Sequence, residues 1–251
     1  MSKVVGPIRR AVQEYGMIED GDRIAVGVSG GKDSGALLFA LDQLSRFYPK
    51  KFSVFAVIID MGSGMDYSPL EERIRAAGIE CIRKETDISK LIFEVRKEPN
   101  PCALCAVLRR GALNRTAVEH GANKVALGHH YDDVLETFLL NLIHGGRLGC
   151  FQPVTYLSRI DLHLIRPMIY MPEKDIRYFA SKAQLPVIKS PCPADGNTKR
   201  ADMDSLLNSI ERTNKGLKYR IFGAIQRGEI DGFKPMGRMQ GIKEYTEESA
   251  E

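Results

Sequence analysis

The run Val28-Ser29-Gly30-Gly31-Lys32-Asp33-Ser34 gathers groups that can hold phosphate. It follows a short apolar stretch, Arg23-Ile24-Ala25-Val26-Gly27, and opens an amphipathic segment, so the pattern predicts a turn between a strand and a helix. The first N–H groups of a helix lack intrahelical partners and lie at the positive end of its dipole, which favours anions. Gly30 and Gly31 let the backbone approach a ligand that a Cβ would exclude. Ser29, Lys32 and Ser34 add donors, and Asp33 is placed to cap the helix. The expected chemistry is a grip on the phosphates of a nucleotide.

Several glycine-rich turns bind phosphate, and the spacing separates them. The common G-x-x-x-x-G-K-[ST] loop fails, because Val26 stands where its first glycine belongs and Asp33 where its Ser or Thr belongs. A G-x-S-x-G hydrolase elbow fits Gly27, Ser29 and Gly31 but leaves Lys32, Asp33 and Ser34 unexplained. A turn that merely caps a helix explains the glycines alone. The run S-G-G-K-D-S resembles the PP-loop of the N-type ATP pyrophosphatases. That resemblance implies that the loop grips the pyrophosphate released when ATP adenylates a substrate.

A second set of reactive residues is sulfur. Cys102 and Cys105 form C-x-x-C after Pro99-Asn100-Pro101, at the expected start of a helix. Such a pair reads as two chance buried thiols, as a redox couple, or as half of a zinc site, for which no second C-x-x-C exists. Cys192, in Ser190-Pro191-Cys192-Pro193, offers a third thiolate on a stiff loop. Three thiolates can hold a [4Fe–4S] cluster and leave one iron open. Cys81, in an apparent strand, and Cys150, in a glycine-rich turn, read as structural thiols.

The elements that must position these groups alternate. A lead-in helix is expected from Ile8 to Ile18, then strands over 23–28, Phe52–Ile59, Ile79–Lys84, Asn123–Leu127 and Leu162–Arg166. Between them the apolar spacing predicts a helix that stops at Pro49 and others near Pro69–Ala77, Ile88–Arg96, Cys105–His120 and Asp132–Ile143; one more fits Glu173–Ala183. Alternation of this kind implies an α/β fold: a Rossmann-like, doubly wound, mainly parallel sheet with helices on both faces. Its ligands should gather at the carboxyl ends of the strands. The expected organisation is a lead-in at 1–22, a nucleotide domain at 23–190, and a cysteine loop with a helical extension at 191–251.

Composition narrows the class. With 251 residues, 43% of them hydrophobic and 27% charged, the chain suits one substantial globular domain with appendages. No apolar run reaches the length of a membrane span, and Met1–Gly6 lacks a signal peptide's apolar core, so a cytoplasmic enzyme with no membrane partner is expected. The net charge of +4 does not by itself indicate nucleic acid, although residues 199–227 hold seven Lys or Arg against three acids.

Taken together the residues resemble the TtcA family of PP-loop proteins, which are tRNA 2-thiolation enzymes. The resemblance rests on Met17-Ile18-Glu19 through Ser34, on Cys102-Ala103-Leu104-Cys105 with Arg109-Arg110-Gly111, and on Ala126-Leu127-Gly128-His129-His130-Tyr131-Asp132-Asp133. It continues through Leu140-Asn141 before Gly145-Gly146 and Arg166-Pro167, in family order over roughly 10–195. One departure is that Pro193-Ala194-Asp195 follows Cys192 where the family often has a second C-x-x-C. The resemblance implies a [4Fe–4S] cluster on Cys102, Cys105 and Cys192, with ATP and Mg2+ as further requirements. It implies tRNA as acceptor, a sulfur donor that is either cysteine-desulfurase-derived or free sulfide, and a homodimer. It further implies adenylation of a pyrimidine C2 oxygen followed by sulfide attack.

Arg109 shares a helix face with Cys105 and is expected to neutralise phosphate charge, whereas Arg110 reads as a surface residue. Gly128 and Ile59, at strand ends, are expected to meet ribose or adenine through their backbones. Of Asp132 and Asp133, one is expected to cap a helix and the other, Asp133 by preference, to serve magnesium or proton transfer. His129 and His130 read as orienting or structural. Thiolation of another nucleoside such as uridine, a different PP-loop adenylating ligase, and a non-catalytic ATP-binding Fe–S sensor remain as alternative readings.

Overall fold

The computed structural model describes residues 2–97, 101–188, 191–192 and 199–236. Six strands form one sheet in the order β3-β2-β1-β4-β6-β5. They are β1 (Asp22–Gly27), β2 (Phe52–Asp60), β3 (Glu80–Glu85), β4 (Lys124–Ala126), β5 (Val154–Leu157) and β6 (Leu162–Ile165). All neighbours run parallel except β5, which pairs antiparallel with β6.

The central strands β1, β2 and β4 are largely apolar because both faces are covered, whereas the edge strand β3 is mostly charged and exposed. Along β1, Ile24 and Val26 enter one core and Ala25 the other; along β2, Ala56 and Ile58 oppose Phe55 and Val57. The larger core is covered by α1 (Ser2–Glu14), α2 (Lys32–Ser45), α3 (Ser68–Ala76), α6 (Tyr131–Gly145) and α7 (Glu173–Lys182). The smaller one is covered by α5 (Pro101–Glu119) through Leu113 and Ala117. A short α4 (Ile88–Lys90) runs into a π-turn over Leu91–Val95, where one regular helix was expected.

Two further helices, α8 (Lys199–Thr213) and α9 (Leu217–Arg227), follow the sheet. They join the main core: Leu207, Phe222, Ile225 and Phe233 are buried in the same cluster as Ile8 and Tyr15 of the N-terminal segment. The first helix spans Ser2–Glu14, not Ile8–Ile18, because Gly16 takes φ 54° and turns the chain out after Tyr15. Met17 and Ile18 are then buried outside the helix, and the Met17 N–H bonds the Val12 carbonyl. Sequence reading missed β5, although Val154-Thr155-Tyr156-Leu157 is the β-branched and aromatic pattern of a strand.

Phe233 is fully buried against Tyr15, Phe151 and Phe222. Phe233→Ala should cost about 3–5 kcal/mol, lowering the midpoint of a thermal melt followed by circular dichroism by on the order of 10 °C. An unchanged midpoint would mean that this segment does not close the core.

Candidate active site

The glycine loop lies at the switch point of the sheet, where the chain leaves β1 for β2 on one side and returns as β4 on the other. The Val28 N–H still bonds the Val57 carbonyl at 2.9 Å. The chain then turns at Gly30, whose φ of 89° would strain any other residue, and enters α2 with Gly31 as N-cap. Two serines staple the turn. Ser34 Oγ accepts the Ser29 N–H at 3.1 Å and donates to the Gly31 carbonyl at 3.0 Å, and it lies 3.2 Å from Ser29 Oγ. Asp33 does not cap α2, contrary to expectation, because Gly31 occupies that position. Its Oδ2 faces Lys32 Nζ at 3.2 Å, while its buried Oδ1 has no hydrogen-bond partner.

A Cβ on Gly128 would stand 3.2 Å from the Ser34 nitrogen and 3.3 Å from the Asp33 carbonyl carbon. The absent side chain therefore lets the end of β4 touch the first turn of α2, which is backbone and cannot yield as a side chain would. This contact brings the His129–Asp133 segment beside the loop. His130, not either aspartate, is the N-cap of α6. Asp133 Oδ2 accepts the His130 N–H at 2.9 Å, and its Oδ1 accepts Arg200 at 3.0 Å. Asp132 Oδ2 accepts the Glu173 N–H at 2.8 Å, and its Oδ1 accepts Lys218 Nζ at 2.9 Å. Both carboxylates thus tie α6 to later helices: Asp132 to α7 and α9, Asp133 to α8.

The imidazole of His130 sits among carboxylates, 3.5 Å from Asp133, 3.8 Å from Asp132 and 4.0 Å from Asp33. His129 packs on Phe151 with ring centroids 4.9 Å apart. Burial and the nearby Arg166 push its pKa down to about 4, so it is neutral near pH 7. Glu136, one turn further along α6, has its carboxyl pushed up to about 8 by burial and by Asp133, against the pull of Arg200.

Sequence reading did not find Glu173. This first residue of α7 binds Lys32 Nζ at 2.9 Å. Burial disfavours the Lys32 charge, but Glu173 and Asp33 outweigh it and its pKa is raised. Burial likewise raises the Glu173 carboxyl, yet Lys32 and Arg177 leave it lowered. The loop lysine is thus charged and held by a carboxylate that an incoming phosphate would replace.

On the other side of the loop, Ile59 lies past the end of β1, which stops opposite Val57, so β2 has a strand neighbour there only in β3. Asp60, buried beside it, accepts Arg83 and the Gly62 N–H. Cys105 lies in the second turn of α5 with its Sγ 3.6 Å from the sulfur of Met61, and Cys102 is exposed one turn earlier. Arg109 is exposed on the same helix, close enough to lower the phenol pKa of Tyr67, whose net shift is upward through burial. Arg110 is exposed and lies near Arg166. Cys192 is half-buried, four residues beyond Ile188, which packs over Gly30 and bonds its carbonyl at 2.9 Å.

Burial pushes Cys81 up to about 11 and Cys150 up to about 12, so neither is a ready thiolate. Among the described residues no three His, Cys, Asp or Glu side chains stand close enough to hold a metal ion, so the cysteine trio is not gathered. The donor chemistry nonetheless fits an iron–sulfur group, with two soft ligands spaced one turn apart at a helix start and a third leading from the loop.

Comparison with known proteins agrees with this geometry. The PP-loop domain family, ATP_bind_3, matches residues 6–210. A tRNA-cytidine(32) 2-sulfurtransferase of Geotalea daltonii is 40% identical, over 89% of this chain and 90% of its own. One from Cupriavidus necator is 36% identical over 96% of this chain and 79% of its own. The chain belongs to the TtcA family of PP-loop proteins. A solved structure, the U34-tRNA thiolase NcsA from Methanococcus maripaludis with its [4Fe-4S] cluster, shares the fold with a TM-score of 0.72. It is 24% identical, covering 88% of this chain and 77% of that one.

Within this TtcA-family site, Glu173 holds the loop lysine, so a phosphate reaching Lys32 would have to displace it. Glu173→Gln should tighten pyrophosphate binding by about fivefold, the scale of a partly exposed ion pair screened by solvent, in isothermal titration calorimetry. Weaker binding would show that Glu173 supports the ligand.

Glu136 gives the site a pH signature. A carboxyl raised in the folded state stabilises fully below its unfolded pKa of about 4.3, and that contribution is lost as pH rises through about 8. Glu136→Gln should therefore flatten the fall in melting temperature between pH 5 and pH 8. An identical pH profile would refute a raised Glu136.

Proposed function

We propose that the protein is an ATP-dependent tRNA sulfurtransferase that replaces the C2 oxygen of a cytidine with sulfur. The reading rests on a stapled PP-loop facing the start of α6, in a chain 36–40% identical to named tRNA-cytidine(32) 2-sulfurtransferases over most of its length.

A pyrimidine carbonyl oxygen is a poor leaving group. Attack of that oxygen on the α-phosphorus of ATP makes it part of AMP and expels pyrophosphate. The N–H groups at the start of α2, with Ser29 and Lys32, receive the negative charge that develops on the pyrophosphate. Lys32 moves from Glu173 to phosphate as ATP enters. Asp33 keeps one carboxylate oxygen without a protein partner and is the acid best placed to hold Mg2+, since Asp132 and Asp133 are engaged in tying helices together. Asp133 then acts by fixing the His130 backbone and Arg200. Ile59 and the backbone at Gly128 bound the space for adenosine, and Arg109 supplies positive charge from α5.

When bound by Cys102, Cys105 and Cys192, a [4Fe–4S] cluster supplies an iron with an open position for sulfur. The sulfur nucleophile adds to C2 and AMP leaves with the original oxygen. The sulfur enters at the sulfide level, as free sulfide or as cysteine-desulfurase-derived persulfide sulfur that a second thiol has reduced to sulfide, itself being oxidised to a disulfide.

The test is nucleoside mass spectrometry of tRNA from cells lacking the protein. 2-Thiocytidine should vanish, return with the wild-type gene, and stay absent with Lys32→Met or Cys192→Ala. Persistence of 2-thiocytidine in the deletion would overturn the reading, and loss of a different thionucleoside would move the target base.

A further inference from the structure

A groove of about 750 Å³ is lined by the start of α6 and by α7, α8 and α9. Glu173 and Asp132 are among its lining residues, so the group that holds Lys32 also lines the groove. Its size suits one nucleotide, within the usual range of roughly 300–1,000 Å³ for small-ligand clefts.

Three tyrosines define its chemistry. Tyr178 and Tyr219 are 61% and 70% exposed, and Lys182 Nζ lies 6.0 Å from the centroid of the Tyr178 ring. Tyr131 is only 7% exposed, yet its hydroxyl is buried with no hydrogen-bond partner. An orphaned phenol is costly unless something supplies a partner. Tyr219 leans on Tyr131 with centroids 5.9 Å apart, and Tyr131 stacks on Phe222 at 4.9 Å, so the aromatic wall is braced by the core.

Three cations, Lys174, Arg177 and Lys218, stand with four acids, Asp132, Glu173, Asp204 and Glu211, in the lining around the rings. Lys174 and Arg177 are exposed at the rim, and residues 199–227 carry seven cations against three acids. Each of the groove's acids has a partner: Glu173 holds Lys32 and Arg177, Glu211 accepts the N–H groups of Gly216 and Lys218, Asp132 holds Lys218 Nζ, and Asp204 accepts Asn208. Exposed aromatic faces beside cations are the means by which proteins hold unpaired bases.

We propose that this groove binds an unpaired nucleotide of the RNA substrate, neighbouring the reacting one, by stacking its base on Tyr219 and Tyr178 with Lys174 and Arg177 at its phosphates. The proposal rests on the assignment of an RNA acceptor. Occupation of the groove places the RNA chain beside the Glu173–Lys32 pair.

The test is fluorescence anisotropy of a labelled tRNA anticodon stem-loop with the full-length protein, alongside ATP affinity measured by calorimetry. Tyr219→Ala and Tyr178→Ala, both at exposed positions, should each weaken RNA binding by about tenfold, the scale of one lost base stack. ATP affinity should not change, and Tyr219→Phe should retain RNA binding. Unchanged RNA affinity in both alanine variants, with wild-type protein binding normally, overturns the groove and leaves the thiolation reading standing. A loss of ATP affinity in place of RNA affinity also overturns it, by giving the groove to adenosine. Wild-type protein that binds no RNA at all would overturn both readings.

Discussion

The close approach of Gly128 to the Asp33–Ser34 backbone is the constraint on which the site depends. Parallel strands β1 and β4 are neighbours, and each is followed by a turn into a helix. With a side chain at 128 those two turns would be forced apart, because the opposing atoms are main chain. Without one, the start of α2 and the start of α6 share a cleft. The helix geometry that orients free N–H groups is local, but the pairing of two helix starts is a property of the sheet.

From that cleft, polar contacts run outward in two directions. Lys32 meets Glu173, whose own N–H is held by Asp132, which in turn holds Lys218. Asp33 faces His130, which Asp133 fixes while also binding Arg200. Single exposed ion pairs contribute little to stability. Chains of half-buried ones polarise each other and set geometry. They tie α8 and α9 to the start of α6, so a ligand that takes Lys32 from Glu173 changes the charge felt at α7.

The local signals in the sequence carried far. The glycine and serine pattern of residues 29–34 told the position of the phosphate loop, because strand–turn–helix geometry needs only neighbours. Buried strands showed themselves as β-branched runs. What the sequence hid was contact at a distance. Glu173 reads as an ordinary first-turn acid until folding sets it on Lys32. The Asp132-Asp133 pair reads as a catalytic doublet, yet both oxygens of Asp132 and one of Asp133 accept bonds from later helices, while the other oxygen of Asp133 accepts the His130 N–H at the start of its own helix. Gly16 hid the end of α1 within an apolar pattern that continued past it. The resemblance to TtcA proteins named the chemistry, whereas the roles of individual carboxylates came only from the fold.

The claim that residues 29–34 hold the pyrophosphate of an adenylating ATP is tested most directly by a single turnover with γ-32P-labelled ATP and unmodified tRNA. The account requires labelled pyrophosphate, in an amount matching the RNA activated. It requires none without RNA and none from a Lys32→Met variant. Release of labelled orthophosphate instead would place the cleavage at the wrong bond and contradict the account.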